Sequence, residues 1–96
     1  MTVQALKQAI THRTFPENSS VFVQALWHDA SGNWQEAHEL IGDLTDKEAA
    51  WLHAYLHRKE GDIWNADYWY ARAGRKRPAL SLEEEWEQLA VFFSEN

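Results

Sequence analysis

The residues best suited to chemistry in this chain are its five histidines: His12, His28, His38, His53 and His57. His53 and His57 stand four apart on a predicted helix, so both imidazoles project from one face. That spacing suits two ligands of one metal ion. His38 falls on the inward face of a neighbouring predicted helix. A 29-residue internal offset places His28 equivalent to His57, and Asp67 equivalent to His38. A cluster drawn from His28, His38, His53, His57 and Asp67 is therefore geometrically conceivable. With no cysteine in the chain, its cofactor would be Zn²⁺, Ni²⁺, Cu²⁺ or Fe²⁺ on imidazole and carboxylate ligands.

Plain structural use competes with that reading. A buried imidazole donates at one nitrogen and accepts at the other, and so joins helices by hydrogen bonds. Tyr55, Tyr68, Tyr70, Asp29 and Asp67 are potential partners. The run His53-Ala-Tyr-Leu-His57 lacks the glutamate that a metalloprotease helix uses as base. Glycine-rich phosphate loops, nucleophile elbows and cysteine nucleophiles are likewise missing from the sequence, so no catalytic residue is expected.

These side chains must be positioned by a chain of 96 residues, enough for one small domain and too few for two. Nine Lys+Arg against fifteen Asp+Glu give a formal net charge of −6 and a pI near 5.2. That balance argues against nucleic-acid and anionic-membrane partners. No stretch approaches the roughly 20 apolar residues of a membrane span. The N-terminal residues do not read as a signal peptide, so the default expectation is a cytoplasmic location. One basic patch opposes the average: Arg72, Arg75, Lys76 and Arg77. It fits either an anion site or cations favoured at a helix C-terminus, with Glu83, Glu84 and Glu85 close by to neutralise it.

The hydrophobic periodicity is helical throughout. A first helix is expected over residues 2–11, then a linker broken by Pro16, then a helix from about Val21 to Ala30 after Ser19 or Ser20. Asn33 can cap a third helix whose stripe is Trp34, Ala37, His38 and Ile41. Thr45 and Glu48 have capping-box spacing before Ala49, Leu52, His53 and Leu56. Asp62 caps a fifth helix that stops near Gly74. Ser81 and Glu84 form a third box before Leu82, Trp86, Leu89, Ala90 and Phe93. The expected organisation is a single helical domain over 1–96: N-terminal helix and linker 1–18, first hairpin 20–45, second hairpin 46–78, terminal helix 80–96.

Sliding the chain by 29 residues aligns Ala25/Ala54, His28/His57, Gly32/Gly61, Asn33/Asp62 and Ala37/Ala66. Small residues allow close helix approach, and the glycines permit tight turns. A repeat of this length points to stacked helical hairpins. In the second half, Ala54, Ala66, Tyr70, Ala73 and Pro78 resemble the tetratricopeptide pattern. Asp62-x-x-x-Ala66-x-x-Trp69-Tyr70-x-Arg72-Ala73 resembles the second helix of Sel1-like repeats. The segment ALWHD…GNW…AH…AWLHAYLHR…GD…NA-x-YWY-x-RAG is also similar to small bacterial proteins, which suggests a bacterial source. The chain departs from the tetratricopeptide pattern at Leu44, where a small residue is usual, and at His53 and His57.

The resemblance implies an all-α fold of five to six helices, built as antiparallel hairpins in a short right-handed array. It also implies a concave face lined by Phe22, Leu26, Asp29, Trp51, Tyr55 and Arg58. Exposed aromatics beside arginine are what binding hot spots favour. The leading expectation is thus a non-catalytic module that binds a protein or peptide through Phe22, Leu26, Trp51, Tyr55 and Arg58. The competing view is that the N-terminal helix covers this face. A histidine-based metal or small-ligand site and a dimerising structural subunit are the alternatives.

Overall fold

The computed structural model describes residues 1–94. It contains six helices: α1 (Val3–Thr11), α2 (Val21–Ala30), α3 (Trp34–Ile41), α4 (Lys47–Lys59), α5 (Ile63–Arg72) and α6 (Leu82–Phe93). No strand occurs among the described residues. The last two positions of the expected 80–96 segment lie outside them.

Helix starts follow from side chains able to satisfy the first free backbone N–H groups. Thr2, Ser20, Asn33 and Asp62 each accept from the backbone N–H three residues on. Ser81 and Glu84 close a full capping box at α6. The Thr45–Glu48 box is not formed. Asp46 is the residue before α4, and its side chain makes no cap bond. Extended backbone at Asp46 moves the start of α4 one residue beyond the expected cap.

The turns after α2 and α4 are built alike. Asn33 N–H donates to the His28 carbonyl at 2.8 Å, and Asp62 N–H to the His57 carbonyl at 2.9 Å. Between them Gly32 and Gly61 take positive φ, 84° and 89°, which a residue with a Cβ adopts only at a cost. The same closure ends α5, where Arg75 N–H donates to the Tyr70 carbonyl at 2.9 Å and Gly74 takes φ 72°. The broadest packing is of α2 on α3 and of α4 on α5.

One core draws on all six helices. Leu6, Leu26, Ile41, Leu52, Leu56, Ala66 and Leu89 are fully buried within it. The alanines at 25, 37, 54 and 66 are also sealed, consistent with close helix approach.

The terminal helix α6 lies across α2 and α4. This overturns the expectation of an open aromatic face. Leu26, Trp51 and Tyr55 are buried, Phe22 is half-buried, and Arg58 reaches beneath α6. Phe93 stacks on Phe22 with centroids 4.4 Å apart, and Trp86 donates its indole N–H to the Leu26 carbonyl at 3.3 Å. The competing view named the wrong cover: α6, not α1, occupies the α2–α4 face.

Two buried carboxylates tie these helices together, Glu85 joining α6 to α4 and α5, and Asp29 joining α2 to α4. Glu85, with no exposed surface, accepts from Trp51 Nε1 at 3.2 Å, Arg58 Nη1 at 2.8 Å and Tyr70 Oη at 2.7 Å. Asp29 accepts from Tyr55 Oη at 2.8 Å and Lys59 Nζ at 2.9 Å. Burial first, and then the adjacent carboxylates, push both tyrosine hydroxyls well above their usual titration range. Both phenols therefore act as fixed donors. Burying charge without partners is costly, and here each carboxylate is paired and hydrogen-bonded.

Candidate functional site

Helix α3 contributes His38, and α4 contributes His53 and His57 one turn apart. One ring nitrogen from each of the three lies within 4.8 Å of the others. His38 Nε2 and His53 Nε2 are 3.0 Å apart. Two nitrogens bound to one Zn²⁺ at about 2.0–2.1 Å would lie roughly 2.9 Å apart at a right angle and roughly 3.4 Å at the tetrahedral angle. The observed pair falls within that interval. Without a metal, one of the two must carry the proton and donate to the other.

Aromatic walls fix the rings. Trp69 stacks on His53 with centroids 4.0 Å apart and planes 14° from parallel. Trp34 stacks on His38 at 4.9 Å, and its indole N–H is anchored to the Leu56 carbonyl at 2.7 Å. His53 and His57 stack on each other at 4.9 Å. Gly42 flanks this cluster: a Cβ there would meet the His38 carbonyl oxygen at 2.9 Å and the edge of its imidazole at 3.6 Å.

The third histidine has an outer partner. His57 Nδ1 lies 2.7 Å from Glu60 Oε1. Donation of Nδ1–H to that carboxylate leaves the lone pair on Nε2, the arrangement that orients a metal-binding imidazole. His57, Glu60 and Asp62 also place one ligand atom each within 4.8 Å of the others. Asp62 is already engaged at the start of α5, where it holds Asn65.

The electrostatics keep two of the imidazoles neutral. His53 is 5% exposed, and burial, followed by the neighbouring His38 and His57, lowers its pKa to about 4. The His38 pKa is also lowered, by burial and then by His57, against opposing pulls from Glu60 and Glu39. At neutral pH these imidazoles therefore carry no competing charge. For both facing Nε2 atoms to hold a metal, the ring that donates between them would carry its proton on Nδ1 instead, a change of tautomer with no change of charge.

The other expected members do not join. His28 turns instead to Phe15 and Trp27, at centroid distances of 5.3 and 5.1 Å. Repeat equivalence relates it to His57 but displaces it by the separation of packed helices, about 8–10 Å per helix. Asp67 is half-exposed and pairs with Arg77 at 3.0 Å. The expected tyrosine and aspartate partners of the histidines are engaged elsewhere: Tyr55 bonds Asp29, and Tyr70 bonds Glu85. Glu60, Trp34 and Trp69 are the members the sequence reading missed. Glu60 lies three residues after His57, a signal that was available. The two indole stacks depend on how α3 and α5 are placed beside α4.

Comparison with protein-family models, curated proteins and solved structures finds no match in any of the three.

Proposed function

We propose that this protein binds a divalent transition metal, Zn²⁺ foremost, through His38, His53 and His57 on a tetratricopeptide- or Sel1-like scaffold of antiparallel hairpins. The observation that carries the reading is the 3.0 Å approach of two Nε2 atoms from different helices, with a third imidazole within 4.8 Å. Three imidazoles match the ligand number of an open zinc site, leaving a fourth position for water or another donor. Closing the third ligand onto the metal needs a movement on the order of 1.5 Å, within the reach of a side-chain rotation.

This reading replaces the peptide groove as the leading one. A partner cannot use Leu26, Trp51 and Tyr55 while α6 covers them. The test is a Zn²⁺ titration of metal-free protein, followed by its thermal transition. Zinc at a hundred times its dissociation constant should stabilise the fold by about 2.7 kcal/mol. His57→Gln should remove that gain while folding normally. An equal zinc response in wild type and variant would defeat the proposal.

A second reading keeps self-association. Trp64 is 78% exposed on α5, with half-exposed Tyr68 one turn on and Arg72 stacked against Tyr68 at 5.8 Å. That composition is typical of interface hot spots, and a second copy of the chain would bury it. Sedimentation across a concentration series tests this reading: Trp64→Ala should shift a wild-type dimer to monomer, whereas a monomeric wild type would exclude it.

A further inference from the structure

We infer that the cavity between α5 and the 73–80 segment is a second ligand site, which takes a small multiply charged anion bearing phosphate or carboxylate groups. The cavity measures about 510 Å³, a size usual for small-molecule sites. The chain carries an excess of acid, yet four of its nine Lys+Arg side chains line this one space: Arg58, Arg75, Lys76 and Arg77. A single carboxylate, Asp67, shares the wall, and Arg77 already engages it at 3.0 Å.

The remaining cations divide by role. Arg58 is held by Glu85 and by the Leu80 carbonyl, which fixes its guanidinium at the cavity edge with its charge balanced. Arg75 lies over Trp51 with its guanidinium carbon 3.6 Å from the ring centroid. Stacking engages the face of a guanidinium and leaves its in-plane N–H edge for a planar or tetrahedral oxyanion. Neither Arg75 nor Lys76 forms an ion pair among the described residues. Among the described residues Lys76 and Arg75 thus line the cavity without an ion-pair partner, and Arg75 is held at its edge by Trp51, with Glu48 and Glu87 lining the neighbouring spaces on that side.

Arg72, expected in the same patch, is directed away onto Tyr68 and Trp69. The helix-end explanation of the basic run therefore does not account for Arg75 on Trp51, or for Arg58, which comes from a different helix. The occupant must be small. A polyanion such as nucleic acid would meet the net −6 of the whole chain, whereas an ion inside the cavity feels mainly its local cations.

The test is a ¹H–¹⁵N NMR titration of metal-free protein with inorganic phosphate and, separately, with malonate, each against sodium chloride at matched ionic strength. Saturable shifts centred on the amides of Ala71, Arg75, Lys76, Arg77 and Ala79, and of the neighbouring wall at Asp67 and Tyr70, are expected with at least one of the two probes. Tighter binding of phosphate or of malonate identifies the source of the charge, and either order supports the site. Lys76→Gln, at an exposed position, should weaken binding about tenfold with an unchanged melting temperature. His57→Gln should leave anion binding intact, which separates this site from the histidine cluster. Shifts that grow linearly, spread over Lys7, Lys47 and Lys59, or persist unweakened in Lys76→Gln would overturn the inference.

Discussion

Acid should destabilise the metal-free protein through His53 well before its carboxylates titrate. In the folded chain His53 titrates at about 4, against 6.5 for an unperturbed histidine. Between those values the unfolded state binds the extra proton and the folded state does not, so stability falls as the pH drops. Stability is full above pH 6.5 and declines through the window down to pH 4. The gap of about 2.5 units corresponds to at most about 3.4 kcal/mol, half of it spent by about pH 5.2. His38 acts in the same direction, since its pKa is also lowered. Asp62 and Glu84 have carboxyl groups held below their ordinary acidic values, so their contribution is lost only at lower pH.

The assay is urea unfolding followed by circular dichroism at pH 7.5, 6.0 and 5.0. The comparison is His53→Phe, whose ring can keep the stack on Trp69 but cannot titrate. Wild type should lose on the order of 2 kcal/mol by pH 5, and the variant much less. A wild-type slope equal to that of His53→Phe would refute the assignment of a neutral, buried His53.

Three further outcomes follow from the packing. Glu85→Ala should cost about 3–5 kcal/mol in chemical denaturation, because it strips the partners from Arg58 and Tyr70 beneath α6. Trp51→Ala with Tyr55→Ala should unfold the protein or lower its melting temperature by more than 15 °C, since each truncation costs about 3 kcal/mol or more in a core. A double variant as stable as wild type would restore the open groove. Gly61→Ala should cost about 1 kcal/mol, a few degrees in the thermal transition, from its φ of 89° alone, since an added Cβ meets nothing within 4 Å.

The local rules were readable because they are local. Ser20, Asn33, Asp62 and Ser81 cap helices within three residues, and Gly32, Gly61 and Gly74 end them with positive φ. The i, i+4 pair His53–His57 and the inward face of His38 were legible for the same reason. What the periodicity could not reveal was the placement of α6. An amphipathic terminal helix has an apolar stripe whether it caps an end of a helix stack or crosses its face. Here Glu85 decides, because a carboxylate read as one of three that neutralise the basic run 72–77 is the buried acceptor for Trp51, Arg58 and Tyr70. The repeat offset also misled at His28 and Asp67. Equivalence within a repeat predicts similar backbone, not proximity, and only neighbours across the α3–α4 contact meet.

The most direct measurement is long-range ¹H–¹⁵N NMR of the imidazole nitrogens as Zn²⁺ is added to one equivalent. The account predicts that one nitrogen in each of His38, His53 and His57 shifts together and saturates at 1:1, while His12 and His28 stay unchanged. Imidazole spectra that remain unaltered by zinc, with the His38–His53 proton still shared, would contradict it.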